Sequence, residues 1–247
     1  MGRIAVIIPA RHGAQRFPGK PLADLGGKPL IAHVVERAAR ARGVDLVAVA
    51  TDDERIARAA EAAGATAIVT GPARTGTDRV AEAARTLDPR PEVVVNVQGD
   101  EPLIEPRALE ELLLALEAAA GEAEMATLAR PLEPGEMERA HVVKVVTDLK
   151  GNALYFSRAP IPHRRAGGTS ELARAHVGIY AFRYAFLQAF AAMPPGRLEE
   201  EESLEQLRAL EQGHRIRVAQ TSYRGFGVDT PEDLERARAM LASCCHT

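Results

Sequence analysis

With 247 residues, 46% of them hydrophobic, the chain has the length of one large α/β domain, or of one domain with an elaborated insertion, and ample apolar material for a core. Aromatics make up 4% and Trp is absent, so Ala, Val and Leu must fill that core. A net charge of −3 excludes general nucleic-acid or membrane-surface binding, which needs a basic excess, and no apolar run reaches the ~18 residues of a membrane helix.

Residues 4–8 form a short β-branched run ending at Pro9, which reads as a buried first strand. The loop that follows carries Arg11, Arg16 and Lys20 among Gly13, Gly19, Pro18 and Pro21. Gly lets backbone approach a ligand and Pro holds a loop in one shape. Three cations just past the carboxyl end of a first strand suit a polyanion such as a triphosphate. The loop is no Walker A motif: five residues separate Gly13 from Gly19, and Pro21 follows Lys20 where Ser or Thr would hold a metal.

A turn at Gly26-Gly27 leads to an amphipathic helix over 29–42, with Pro29 in its first turn. A second strand follows at 44–50, a helix capped by 51–53 and running to about 63, and a third strand at 65–69. This alternation predicts a parallel sheet with helices on both faces. Residues 70–79 form a small polar loop entering a helix at 77–86, and such a helix start can bind a ligand edge or be an ordinary cap. A strand at 93–97 ends in Gln98-Gly-Asp-Glu-Pro102. Asp100 thus stands where open α/β sheets place ligands, as a hard oxygen donor suited to Mg²⁺, with a helix N-cap as the alternative reading. A helix follows to about 120.

The pattern then turns to strands, at 125–129, 142–147 and 153–156, with a hairpin turn at 149–152. Residues 163–174 read as a mobile loop, 176–182 as a strand and 184–192 as a helix. The run Glu199–Glu202 reads as the solvated start of one helix continuing through Leu204, Leu207 and Leu210. A late strand at 216–219 precedes a Gly-rich turn holding Asp229, and a last helix has Thr230 as N-cap and Pro231 at its first position. Read alone, Asp229 is more often a capping or turn residue than a metal ligand. The only cysteines, Cys244 and Cys245, fall in a tail at 242–247 and form no disulfide framework, which with the absence of a signal segment leads us to expect a cytoplasmic protein.

Taken in order, Ile8-Pro-Ala-Arg11 with Arg16 and Pro18-Gly-Lys-Pro-Leu22, Gly76-Thr-Asp-Arg79, Asn96-Val-Gln-Gly-Asp-Glu-Pro102, Tyr155-Phe-Ser-Arg158, His176-Val-Gly-Ile-Tyr180, Leu204-Glu-Gln-Leu207 and Gly227-Val-Asp-Thr230 resemble the blocks of the 3-deoxy-manno-octulosonate (Kdo) cytidylyltransferases. Two positions depart from that pattern: Ala14 stands where the family usually has Ser, and the second loop, Ala73-Arg-Thr-Gly76, is one residue short. The resemblance implies a single Rossmann-like nucleotidyltransferase domain over 1–247, with a mostly parallel central sheet and a small β-rich dimerisation and sugar-binding region over about 125–185. It implies Mg²⁺-dependent transfer of CMP from CTP to Kdo, for lipopolysaccharide or other cell-surface polysaccharide, by a homodimer. It assigns the triphosphate to Arg11, Arg16 and Lys20, and the cytidine pocket to Pro9, Ala10, Gln98, Thr75 and Gly76. It gives Mg²⁺ to Asp100 and Asp229, and the sugar to Arg158, His176, Tyr180, Glu205 and Gln206. A cytidylyltransferase for another acid sugar, such as a sialic acid, and a non-catalytic nucleotide-binding module are the alternatives.

Overall fold

The computed structural model describes residues 2–13, 17–165 and 171–244. It comprises two compact units, Met1–Glu110 with Gly225–Thr247, and Glu111–Arg224. No helix among the described residues is long and apolar enough to cross a membrane.

The first unit begins with β1 (Ile4–Ala10), followed by a single 3-10 turn at Lys20–Leu22 and a minimal hairpin of β2 (Asp24–Leu25) and β3 (Lys28–Pro29). Then come α1 (Leu30–Ala38), β4 (Leu46–Thr51), α2 (Glu54–Ala62), β5 (Thr66–Val69), α3 (Gly76–Thr86), β6 (Val93–Asn96) and α4 (Pro106–Ala118). Strand β1 pairs in parallel with β4 on one side and β6 on the other, and β4 pairs in parallel with β5. Val6, Ile7 and Ile8 have no accessible surface, so both faces of β1 are covered, as a parallel sheet requires. Gly26 and Gly27, at φ 64° and 85°, supply the two left-handed residues of a two-residue hairpin loop. That hairpin takes Pro29 out of the expected helix, which starts one residue later.

The second unit contains β7 (Met125–Pro131), β8 (Lys144–Thr147), β9 (Ala153–Ser157), β10 (Arg174–Arg183), α5 (Tyr184–Ala192), α6 (Arg197–Glu202), α7 (Leu207–Glu211) and β11 (Ile216–Gln220). Here β11 runs parallel to β7, while β7, β10, β8 and β9 pair antiparallel in that order. In the first unit, α8 (Pro231–Cys244) closes the chain.

The helix expected across 199–210 is two helices. Ser203 sits in the left-handed region at φ 52° and ends α6. In one straight helix Glu199 and Arg208 would lie ~13 Å apart along the axis and on opposite faces. The break instead lets Arg208, 1% exposed at its side chain, take Glu199 in a two-pronged pair at 2.7 and 2.6 Å. Glu202, on the same face, accepts from the Arg158 amide at 2.9 Å and from the Ser157 hydroxyl. The acidic run is therefore solvated only in part: Glu200 and Glu201 face water while Glu199 and Glu202 bind inward.

Candidate active site

The carboxyl ends of β1 and β6 open onto a cleft of about 530 Å³ in the first unit, lined by Pro9, Arg11, Lys20, Gly76, Asp100 and Asp229 among others. Its base is built by backbone constraints. Gly19, at φ 73°, donates its amide to the His12 carbonyl at 2.9 Å, closing the loop on itself. The next turn is held by Leu22 to Gly19 at 2.8 Å and Ala23 to Lys20 at 3.0 Å, so the Lys20 backbone is fixed. Gly99 follows from a close approach: a Cβ there would lie 2.7 Å from the Pro9 carbonyl oxygen. Only Gly lets the segment carrying Asp100 lie against the end of β1. Arg16 and Ala14 fall outside the described residues.

The Lys20 ammonium donates to Asp100 Oδ2 at 2.8 Å and to Asp229 Oδ1 at 3.2 Å. Three stretches far apart in sequence thus meet at one nitrogen. The Val228 amide donates to the Asp100 carbonyl at 2.9 Å, fastening the Gly-rich turn beside it. Asp229 precedes a reciprocal cap. The Thr230 hydroxyl accepts from the Asp233 amide at 3.2 Å, and the Asp233 carboxylate accepts from the amides of Thr230 and Asp229 at 3.1 and 3.2 Å. Asp229 itself is left to face Lys20. Asp100 reads as isolated in sequence, but in the fold it shares a cation with Asp229. The residues fit Mg²⁺: two hard carboxylates already converge on one positive charge. Among the described residues no third His, Cys, Asp or Glu completes a cage, which matches an ion that keeps water and phosphate oxygens in its shell.

One wall of the cleft comes from the start of α3. The Thr75 hydroxyl caps that helix by accepting from the Asp78 amide at 3.1 Å. A Cβ on Gly76 would touch Pro9 Cγ at 3.4 Å and lie 4.0 Å from Gln98 Oε1, so Pro9, Gly76 and Gln98 are close neighbours in this wall. Phe17, Ala73, Arg74 and Arg79 also line the cleft and were not among the expected residues. Arg79 is 5% exposed and donates to Asp52 at 2.7 Å and to the Thr70 hydroxyl, tying α3 to the loops after β4 and β5. Its place in the Gly76-Thr-Asp-Arg79 block was the available signal, but an ion pair with an exposed residue 27 positions away leaves no local pattern.

The second unit holds the five expected sugar residues. Gln206, 3% exposed, accepts from the Tyr180 hydroxyl at 3.1 Å, and the rings of Tyr180 and His176 lie 5.6 Å apart. Residues four apart in a regular strand are ~13 Å apart. A β-bulge between Val177 and Tyr180 shortens β10 there. Thr127 Oγ1 lies 3.2 and 2.9 Å from the Val177 and Ile179 carbonyls and 2.9 Å from His176 Nε2. A hydroxyl has one proton to give, and the carbonyls claim it, so Thr127 accepts from His176 Nε2–H and Nδ1 is the ring's acceptor. Desolvation lowers the His176 pKa to about 3 and raises that of Tyr180, so both are neutral at pH 7. Arg158 directs its guanidinium at the carbonyls of Glu202, Ser203 and Ala140, at 2.8, 3.3 and 3.2 Å. Glu205 lies 3.9 Å from Arg208.

The cytidylyltransferase family model matches residues 5–216. A 3-deoxy-manno-octulosonate cytidylyltransferase of Anaeromyxobacter sp. strain Fw109-5 is 79% identical over 98% of both chains. An 8-amino-3,8-dideoxy-manno-octulosonate cytidylyltransferase of Shewanella sp. strain ANA-3 is 47% identical over 97% of this chain and 98% of its own. A solved structure of CMP:2-keto-3-deoxy-manno-octonic acid synthetase complexed with CTP superposes with a TM-score of 0.91 at 42% identity, covering 98% of this chain and 99% of that one. Full-length identity, a fold with a mostly parallel central sheet surrounded by helices, and the motif order all agree, and the chain belongs to the 3-deoxy-manno-octulosonate cytidylyltransferase family.

Proposed function

We propose that the chain joins CTP and Kdo to give CMP-Kdo and pyrophosphate. The anomeric hydroxyl of Kdo attacks the α-phosphorus, the bond to the β-phosphate oxygen breaks, and pyrophosphate leaves. The observation that carries this reading is the meeting of Lys20, Asp100 and Asp229 in the cleft at the end of β1, in a chain 79% identical to a named Kdo cytidylyltransferase.

Negative charge accumulates on phosphate oxygens in such a transfer, so fixed cations and positioning supply most of the rate. Arg11 and Lys20 are assigned to the triphosphate together with Arg16. Pro9, Ala10, Gln98, Thr75 and Gly76 are assigned to the cytidine. The closeness of Gly76 to Pro9 and Gln98 supports a single wall made by these residues. Asp100 and Asp229 would hold Mg²⁺, which when bound neutralises phosphate charge and acidifies the attacking hydroxyl. Arg158, His176, Tyr180, Glu205 and Gln206 of the second unit are assigned to the sugar acid. The neutral His176 and Tyr180 suit hydroxyl groups, which need donors and acceptors rather than charge. Arg158 is engaged by three carbonyls, so it would bind a carboxylate only with the donors those bonds leave over. We also propose a homodimer through the 125–185 region. Leu149 and Leu154 of its β8–β9 hairpin are strongly exposed, which supports a covered face there. We also propose a cytoplasmic location and a role in supplying cell-surface polysaccharide, in keeping with a reaction that draws on CTP.

Pyrophosphate release with Mg²⁺ tests the reaction. Release should require both CTP and Kdo, with UTP and sialic acid as controls. The Shewanella relative, named for the 8-amino sugar, makes that sugar the informative further arm. Release with sialic acid alone would discard the sugar assignment, and no release from folded protein that binds CTP would favour a binding module.

A further inference from the structure

We propose that Lys20 is an internal counter-ion that keeps a divalent metal off the Asp100–Asp229 pair until nucleotide phosphates draw the ammonium away. This rests on reading the two acids as metal ligands. The ammonium sits where the carboxylate oxygens converge, 2.8 Å from one and 3.2 Å from the other. Its side chain is 12% exposed, whereas the acids are 33% and 44% exposed. The acids are thus open to solvent on one side while the lysine closes the gap between them.

A lysine ammonium and a dication cannot both sit between the same two carboxylates. Mg²⁺ takes oxygen at ~2.1 Å, which would leave it in near contact with the nitrogen and in strong like-charge repulsion. The backbone does not have to move for an exchange. Gly19 and the 3-10 turn fix the Lys20 main chain, so only its four-carbon stem must swing. Arg11 lines the same cleft, so a triphosphate held there arrives with negative charge beside the lysine. The ammonium then trades carboxylate for phosphate, and the acids are released to the metal. Nucleotide and metal binding become coupled, and the coupling is reciprocal. In nucleotide-free protein the lysine also holds two like charges together, so that the pair is assembled before substrate arrives.

Mn²⁺ binding to nucleotide-free protein, followed by electron paramagnetic resonance, tests this without turnover. Lys20→Met should bind Mn²⁺ at least tenfold more tightly than wild type, and Lys20→Met with Asp100→Asn should lose the gain. Equal or weaker binding by folded Lys20→Met would overturn the counter-ion role. A gain that survives Asp100→Asn would instead overturn the ligand assignment on which the proposal rests. In wild type labelled with ¹⁵N-lysine, CTP without metal should shift the Lys20 ammonium resonance, whatever the variant does to folding. An unshifted resonance at saturating CTP would overturn the exchange.

Discussion

The chemistry of the cleft turns on a few atoms. Asp100→Asn keeps the shape and a hydrogen-bond acceptor for Lys20 but removes a hard anionic ligand. Its turnover number should fall at least a hundredfold while the CTP dissociation constant stays within a few-fold, as steady-state kinetics and calorimetry would show. A normal turnover number would sink the metal role. His176 gives a second test. Its pKa of about 3 lies below the ordinary 6.5, so the unfolded chain binds a proton that the folded chain refuses. Stability is therefore full above pH 6.5 and falls as pH drops toward 3, by up to about 1.4 kcal/mol per pH unit. Glu136, lowered to about 2 by its pair with Arg130, acts in the same direction below 4.5. Urea midpoints at pH 7 and pH 5 should differ more in wild type than in His176→Gln. At this scale Lys20 and Asp100 stood out, because strand ends followed by isolated charges are a local pattern, whereas Asp229 was singled out only through the family resemblance. The convergence of the two acids on one nitrogen was not legible, since nothing near residue 20 points to residue 229.

Among the elements, most strands and helices with a steady period came out of the sequence within about two residues, α1 excepted, which ends at Ala38 rather than at 42. The ends of α2, α3, β6 and β10 fall within about two residues of their expected places, because Asp53 and Thr75 are side-chain caps and the strands are β-branched. The failure at 199–210 has a physical reason. Leucines three apart fit a continuous helix, and the period cannot register one residue that turns to φ 52°. What stabilises that turn is tertiary: Arg208, pinned by Glu199 and lying 5.0 Å from the Phe190 ring, joins α5, α6 and α7. Glu199→Ala should cost about 3–5 kcal/mol, because it removes the two-pronged partner of a buried guanidinium and leaves Glu205, 3.9 Å away, as its carboxylate. Chemical denaturation would measure it, and a loss below 1 kcal/mol would show that Glu205 and the carbonyls of Phe190 and Met193 suffice. The bulge in β10 was hidden for a similar reason. Gly178 hints at it, but its lock is the Thr127 hydroxyl on another strand.

For the molecule as a whole, composition led to the expectation of a core filled by Ala, Val and Leu; the first unit is built that way, whereas the second buries Phe156, Phe182 and Phe190. Val6, Ile7, Ile8, Val94 and Val95 are all fully buried in adjacent strands. Such a core has little slack, since small branched side chains cannot swing to fill a hole. Ile7→Ala should therefore cost about 2–5 kcal/mol in denaturant unfolding, near the upper end if the neighbours stay in place. The alternation of strands and helices announced the parallel sheet of the first unit. The second unit was legible as a change of pattern, but its extent of Glu111–Arg224 exceeds the strand-rich stretch read as 125–185. Helices α5 to α7 and strand β11 belong with it, and only packing reveals that.

Asp229 stands eighteen residues short of the end of a 247-residue chain, yet it pairs with a lysine at position 20. During synthesis the first loop and Asp100 leave the ribosome long before their partner does. A chain whose translation stops between residues 100 and 229 carries one acid of the two, with Lys20 beside it. Such a fragment cannot complete the acidic pair, whatever else of the first unit it holds.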